Sequence, residues 1–205
     1  MTLAAVDIKD WNRWGQHPTS SLKEHQSNCC RNARNWVLAM ARSFEFRITE
    51  QRQLGGMRWL TTKYQWGPNP WPLHWCEMIE RSSFDCGVFA AISREIFLDR
   101  GISAYAGQVV LRANDLSVAH YENKWRNEPD AFRWTGKGFV YHEVVIVESQ
   151  PGIARIYDAT ENRWLKPESI LSHETPIAIR QEGQTALRWG NFMLYPDQWC
   201  ELGET

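Results

Sequence analysis

The chain has 205 residues, with 23 Lys plus Arg against 24 Asp plus Glu and a formal charge of -1. Its 43% hydrophobic and 23% charged residues are those of an ordinary globular domain, long enough to bury a real core. No basic run suits a phosphate backbone, and no apolar run approaches the roughly 18 residues of a membrane span, so neither nucleic acid nor a bilayer is an expected partner.

One domain is expected over residues 1–205, with an irregular polar extension at 1–26 and a core over about 27–182. The start, MTLAAVDIKDWNRW, lacks the charged-then-apolar order of a signal peptide, which places the mature protein in the cytosol. A helix is predicted from Ser27 or Asn28 to about Arg42, because a good capping residue precedes Ala33, Trp36, Val37, Met40 and Ala41 at helical spacing. Met57 to Trp66 is ambiguous between helix and strand, and the Pro-rich loop after it stops either.

Next comes FDCGVFAAISREIFLDRGISAYAGQVVLR. Phe89, Ile92, Ser93 and Ile96 mark one face of a helix over about Cys86 to Asp99, and Gly101 supplies its terminator. Ser103 to Leu111 alternates as a strand, and a polar region follows over Arg112 to Lys137, in which 126–130 reads as a solvated loop. YHEVVIVES and GIARIYDAT are two strands joined at Ser149-Gln150-Pro151-Gly152, a hairpin signal. A short helix near Pro167 to Leu171, a strand near Pro176 to Arg180, and an aromatic but irregular tail from Gly190 complete the reading.

The chemistry gathers on three residues. A thiol needs thiolate character to attack, and a helix N-terminus supplies unpaired N–H groups that favour it, which is the setting expected for Cys86. A histidine must take the proton and an acid must orient that histidine; His142 and Asp158 sit on the two strands of the hairpin. The two stand directly opposite on one face only if strand pairing is centred on residue 150, with a three-residue loop over Ser149 to Pro151 or a five-residue loop over Glu148 to Gly152. A four-residue loop without a bulge puts them on opposite faces.

This order resembles the transglutaminase-like, papain-like superfamily, whose core has a cysteine heading a helix and then strands bearing His and Asp. LDRGISAYAGQVV is similar to that family's Leu-Arg-Ala-Leu-Gly-Ile-Pro-Ala-Arg-Tyr pattern after the cysteine helix. His142-Glu143-Val144-Val145 and Asp158-Ala159-Thr160 are similar to its His-Ala-Trp-Val-Glu and Asp-Pro-Thr. The resemblance covers about residues 84 to 160, with Val144 where an aromatic is usual and Ala159 where proline is common. It implies an α+β fold, helices packed on an antiparallel sheet, and a Cys86, His142, Asp158 triad. The family's upstream oxyanion donor, often Trp or Gln, has Gln65, Trp66 and Trp75 as candidates.

The activity so implied is acyl transfer through a thioester intermediate, from a peptide, amide or thioester substrate, carrier-bound substrates included. Water resolves the intermediate in a hydrolase and an amine in an acyltransferase, and no cofactor is required. The twelve tryptophans tilt the expected acyl group toward apolar or aromatic. Cys29, Cys30, Cys76, Cys86 and Cys200, odd in number and irregular in spacing, argue for reduced thiols rather than a disulfide framework, with Cys29 and Cys30 as helix-start packing. His74-x-Cys76 lacks the paired spacing of structural zinc, so no metal is expected. The competing reading is a non-catalytic binding or scaffold protein of the same fold, in which Cys86 is a buried packing residue and Asp158 caps a turn.

Overall fold

The structure is a computed structural model that describes residues 22–23, 27–44, 55–70, 72–126, 135–136, 138–167 and 174–202. The expectations for an irregular extension over 1–26, apart from residues 22–23, for a loop over 127–130, and for a helix over 168–171 lie outside the described residues.

In chain order the elements are β1 (Leu22–Lys23), α1 (Asn28–Arg42), α2 (Gly55–Lys63), β2 (Gln65–Trp66), β3 (Leu73–His74), α3 (Trp75–Met78), β4 (Ser83–Phe84) and α4 (Cys86–Asp99). There follow β5 (Ala104–Ala113), α5 (Asp115–Trp125), β6 (Thr135–Gly136), β7 (Phe139–Gln150), β8 (Ile153–Asp158) and β9 (Arg163–Leu165). The last are β10 (Glu174–Gln181), β11 (Leu187–Trp189), β12 (Phe192–Leu194) and β13 (Trp199–Glu201).

Helix α1 starts where the sequence places it: Ser27 Oγ accepts from Cys30 N at 3.4 Å, and Cys30, Ala33, Val37, Leu38 and Ala41 form the buried face. Arg34 and Arg42 reach from α1 to Glu95 and Asp99, clamping it against α4. The ambiguous stretch resolves as both elements, a helix to Lys63 and then β2. Tyr64 between them is buried against Phe84, with ring centroids 4.3 Å apart. In α4, Phe89, Ile92, Ser93 and Ile96 are all buried, as their spacing predicts. Gly101, at φ 72°, ends the helix by donating its N–H to Leu98 O at 2.9 Å.

The polar region after β5 contains a helix that periodicity did not reveal. Asn114 Oδ1 accepts from Ser117 N at 2.8 Å and starts α5, whose apolar contribution is thin, with Val118 buried and Leu116 83% exposed. The tail from Gly190 also departs from expectation, because β12 and β13 are sheet strands, and β11 just before it is another. Leu187, Trp189, Leu194 and Leu202 are buried, so the core runs past residue 182. Three-residue strands carry too short a pattern to read; neighbours supply their hydrogen bonds.

The fold is α+β. Its main sheet has the order β12-β11-β8-β7-β5-β10-β13, with β6 and β9 added on β7 and β8. The expected antiparallel sheet is corrected to a mixed one, since β11 runs parallel to β8 through Arg188 and Ile153. Strand β12 returns against β10 and β13, and Gln181 bridges Pro196, so the sheet nearly closes on itself. One apolar cluster, including Val109, Val144, Ile146, Ile156 and Ile179, lies with the curled sheet; the other joins Val145, Val147 and Tyr157 to the helices. Phe97 of α4 meets Tyr157 at 5.5 Å, and each such buried side chain is worth about 1.5–3 kcal/mol.

Gly107 shows how tight the curl is. It pairs with Val144 in the β5–β7 ladder, and an added Cβ would lie 2.8 Å from Ile146 Cγ1 and 3.0 Å from Val144 Cγ2. Gly107→Ala is therefore expected to lower stability by about 1–3 kcal/mol through overpacking. A urea midpoint equal to that of the unaltered protein would show that the sheet yields instead.

Candidate active site

Asp85 fixes where Cys86 sits. Its side chain caps α4 by accepting from Val88 N at 2.9 Å, while its own N–H donates to the buried Asn69 side chain. Cys86 is thus the first residue of the helix, as expected, and only 3% exposed. Its thiol is within hydrogen-bonding reach of His142.

The hairpin that carries the other two residues differs in register from the expected one. Val145 pairs with Tyr157 and Glu148 with Ala154, so pairing is centred on residue 151 rather than 150. A bulge at Ser149 then lets Gln150 face Ile153 across a Pro151-Gly152 turn, with Gly152 at φ 74° and its N–H donated to Glu148 Oε1 at 2.9 Å. Asp158 falls opposite Val144, two residues from His142, so the pair shares a face diagonally. The physical reason is parity: five residues lie between the last regular pair, which preserves the face while shifting the partner by one step on each strand.

Across that diagonal His142 Nε2 lies 3.1 Å from Asp158 Oδ1, at an angle too oblique for a well-formed hydrogen bond, so the contact is an ion pair. With Nε2 turned to the carboxylate, Nδ1 is the ring nitrogen left for the thiol. Asp158 also holds the turn beyond β8: Oδ1 accepts from Thr160 N at 3.0 Å and from Thr160 Oγ1 at 2.7 Å. Turn-capping and His142-facing are two uses of one carboxylate.

Electrostatics follow from burial and pairing. Burial alone would raise the Asp158 carboxyl; the His142 charge, with Thr160 and Arg163, outweighs it and holds the group at about 2. Burial likewise opposes a charged His142, yet Asp158 and Cys86 hold its pKa well above the ordinary value. For Cys86 the balance goes the other way. Burial pushes the thiol up, the His142 contact pulls it down, and the Asp85 and Glu143 carboxyls push it up again. The lowered thiol pKa expected from a helix N-terminus is not what the closed site provides, because desolvation dominates.

A cavity of about 140 Å³ opens on the face shared by His142 and Asp158. Its walls are Trp66, Tyr121, Leu111 and Val140, with Thr160 and Glu161 at its edge. Trp66 meets Tyr121 edge-on at 5.5 Å, and Lys124 Nζ stands 4.1 Å from the Trp66 ring. Cys86 does not line this cavity; His142, which does, is the residue that both the thiol and the cavity meet.

Of the three oxyanion candidates, only Trp66 reaches the cavity. Gln65 is exposed on β2, where it pairs with Ser83, and Trp75 is 5% exposed in the helical core. Alternation explains the split between Gln65 and Trp66. Two residues the sequence reading missed belong to the surroundings. Tyr121 comes from α5, whose only signal is the Asn114 cap. Glu143, next to His142 in sequence, is 6% exposed and accepts from Tyr141 Oη at 2.9 Å. Burial first, and then the Asp85 charge, push the Glu143 carboxyl up to about 8, so it is neutral at neutral pH.

His74 is engaged by Glu77, with Nδ1 3.2 Å from Oε2, and Cys76 by Cys30. Among the described residues no group of three or more His, Cys, Asp or Glu side chains is placed to hold a metal ion. Among them, too, no helix is long and apolar enough to cross a membrane. No family model matches this chain, nor does any curated protein or solved structure.

Proposed function

We infer that this chain is a cysteine-dependent acyl-transfer enzyme with a transglutaminase-like, papain-like core, in which Cys86 is the nucleophile, His142 the acid and base, and Asp158 its orienter. The observation that carries the reading is the unbroken contact from Cys86 at a helix head through His142 to Asp158, beside a cavity. Cys86 attacks the carbonyl of an amide or thioester as the thiolate, paired with the His142 imidazolium that Asp158 stabilises. That imidazolium protonates the leaving group and leaves an acyl thioester on Cys86. His142 then removes a proton from water or an amine, which displaces the thiolate. The cavity opens on the proton-carrying ring, so it suits the leaving group or the acceptor, and its Trp66, Tyr121, Leu111 and Val140 walls favour small aromatic or aliphatic groups.

One observation favours the alternative, a non-catalytic protein with the same fold: Cys86 is buried and its thiol pKa is raised rather than lowered. Acylation separates the two. Treated with p-nitrophenyl acetate and read by intact-mass and peptide mass spectrometry, the protein is expected to carry acetyl on Cys86 faster than on exposed Cys29. Cys86→Ala should fold normally and lose that label. Cys86 acetylated no faster than Cys29, or a Cys86→Ala chain that fails to fold, would favour the packing role.

A further inference from the structure

Helix starts bring three thiols together away from Cys86. Cys29 and Cys30 lie in the first turn of α1, and Cys76 lies in α3, which packs on α1. The Cys30 thiol donates to Cys76 Sγ at 3.2 Å, across 46 positions of sequence. The sulfurs need to close by only about 1.1 Å to reach the ~2.05 Å bond length. Cys30 is fully buried, Cys76 half-buried and Cys29 exposed, and Cys29 also comes within hydrogen-bonding reach of Cys76. Irregular spacing, read as reduced thiols in the sequence, conceals a pair built by the packing of two helices.

We propose that the seam between α1 and α3 is a redox-modification site, at which a small-molecule disulfide of the glutathione class oxidises Cys30 and Cys76 to a disulfide, with Cys29 as the point of entry. Cys29 thiolate attacks one sulfur of glutathione disulfide and expels a glutathione thiolate. Cys76 thiolate attacks the Cys29 sulfur and expels the second. Cys30 then attacks the Cys76 sulfur, forming the Cys30–Cys76 bond and returning Cys29 as thiolate. Two protein thiols are oxidised, one glutathione disulfide is reduced to two thiols, and the two protons leave with them.

The Cys30 hydrogen bond, with burial, pushes the Cys76 thiol up to about 11, so the internal steps quicken as pH rises. The site does not depend on the catalytic reading, because neither Cys86 nor His142 takes part.

Incubation of the full chain with glutathione disulfide at mildly alkaline pH, acid quench and non-reducing peptide mapping test the proposal. The unaltered protein is expected to lose two hydrogens in a Cys30–Cys76 cross-link and to retain no glutathione. Cys76→Ser is expected to keep one glutathione on Cys29. Absence of the cross-link in the unaltered protein, with Cys30 and Cys76 both still open to alkylation after denaturation, overturns the proposal. Glutathione found on Cys30 instead of Cys29 in the variant overturns the entry route.

Discussion

Asp158→Ala is expected to cost about a thousandfold or more in the acetylation rate of Cys86, because His142 loses the group that orients its ring and stabilises its charge. It should also cost stability at neutral pH. The carboxyl sits at about 2 in the folded protein against about 3.9 in an unfolded chain. A depressed folded pKa contributes stability above the unfolded value and loses it as pH falls through the folded one. The span corresponds to about 2–3 kcal/mol, present above pH ~4 and gone near pH ~2. Urea unfolding of Asp158→Ala against the unaltered protein should therefore show a gap that narrows as acid is added.

Asp158→Asn sharpens the experiment. An amide oxygen can still orient the His142 ring and accept from Thr160, but it carries no charge. Rescue of most of the acetylation rate by Asn assigns Asp158 chiefly to orientation; a rate as low as that of Ala assigns it to charge. An acetylation rate unchanged in both variants would leave Asp158 as a turn cap alone, consistent with its bonds to Thr160 but not with the proposed triad.

The second large effect concerns Glu143, a neutral carboxyl beside the site. Its pKa rises from about 4.3 in an unfolded chain to about 8 in the fold, so the folded state holds a proton that the unfolded state has released between those values. Stability is lost as pH climbs through that window, by up to about 4–5 kcal/mol at completion. Glu143→Gln preserves the shape and still accepts from Tyr141, yet has no proton to release. It should gain on the unaltered protein by a few kcal/mol as pH rises from about 4 to about 8. A stability difference flat across that range would mean that Glu143 is ionised in the fold.

These two carboxylates show what a reader of the sequence can and cannot obtain. Asp158 was visible as the end of an apolar strand with a small, polar turn after it, and His142 as the start of its partner. Glu143 carried no such mark, since one residue along a strand points the other way and only three-dimensional packing says whether that side is wet. The same holds for the oxyanion candidates. Gln65, Trp66 and Trp75 are chemically suitable, and placement alone selects Trp66 for the cavity.

By itself the sequence determined the local elements that rest on strong periodicity and turn chemistry: α1 behind Ser27, α4 from about Cys86 with Gly101 at its end, and a β7–β8 hairpin turning somewhere within Ser149 to Gly152. Those signals act within a few residues, so they are written in order along the chain. Tertiary structure alone decided the register centred on 151, the parallel β8–β11 pairing that makes the sheet mixed, the α5 wall of the cavity and the meeting of Cys30 with Cys76. The last three depend on partners distant in sequence, and the first on a bulge at Ser149 that the turn residues do not announce. Desolvation is the same kind of quantity. It belongs to the whole packed surroundings, where it prevails for Cys86 and Glu143 and is overridden by the His142 charge for Asp158, a balance that no residue type or spacing records.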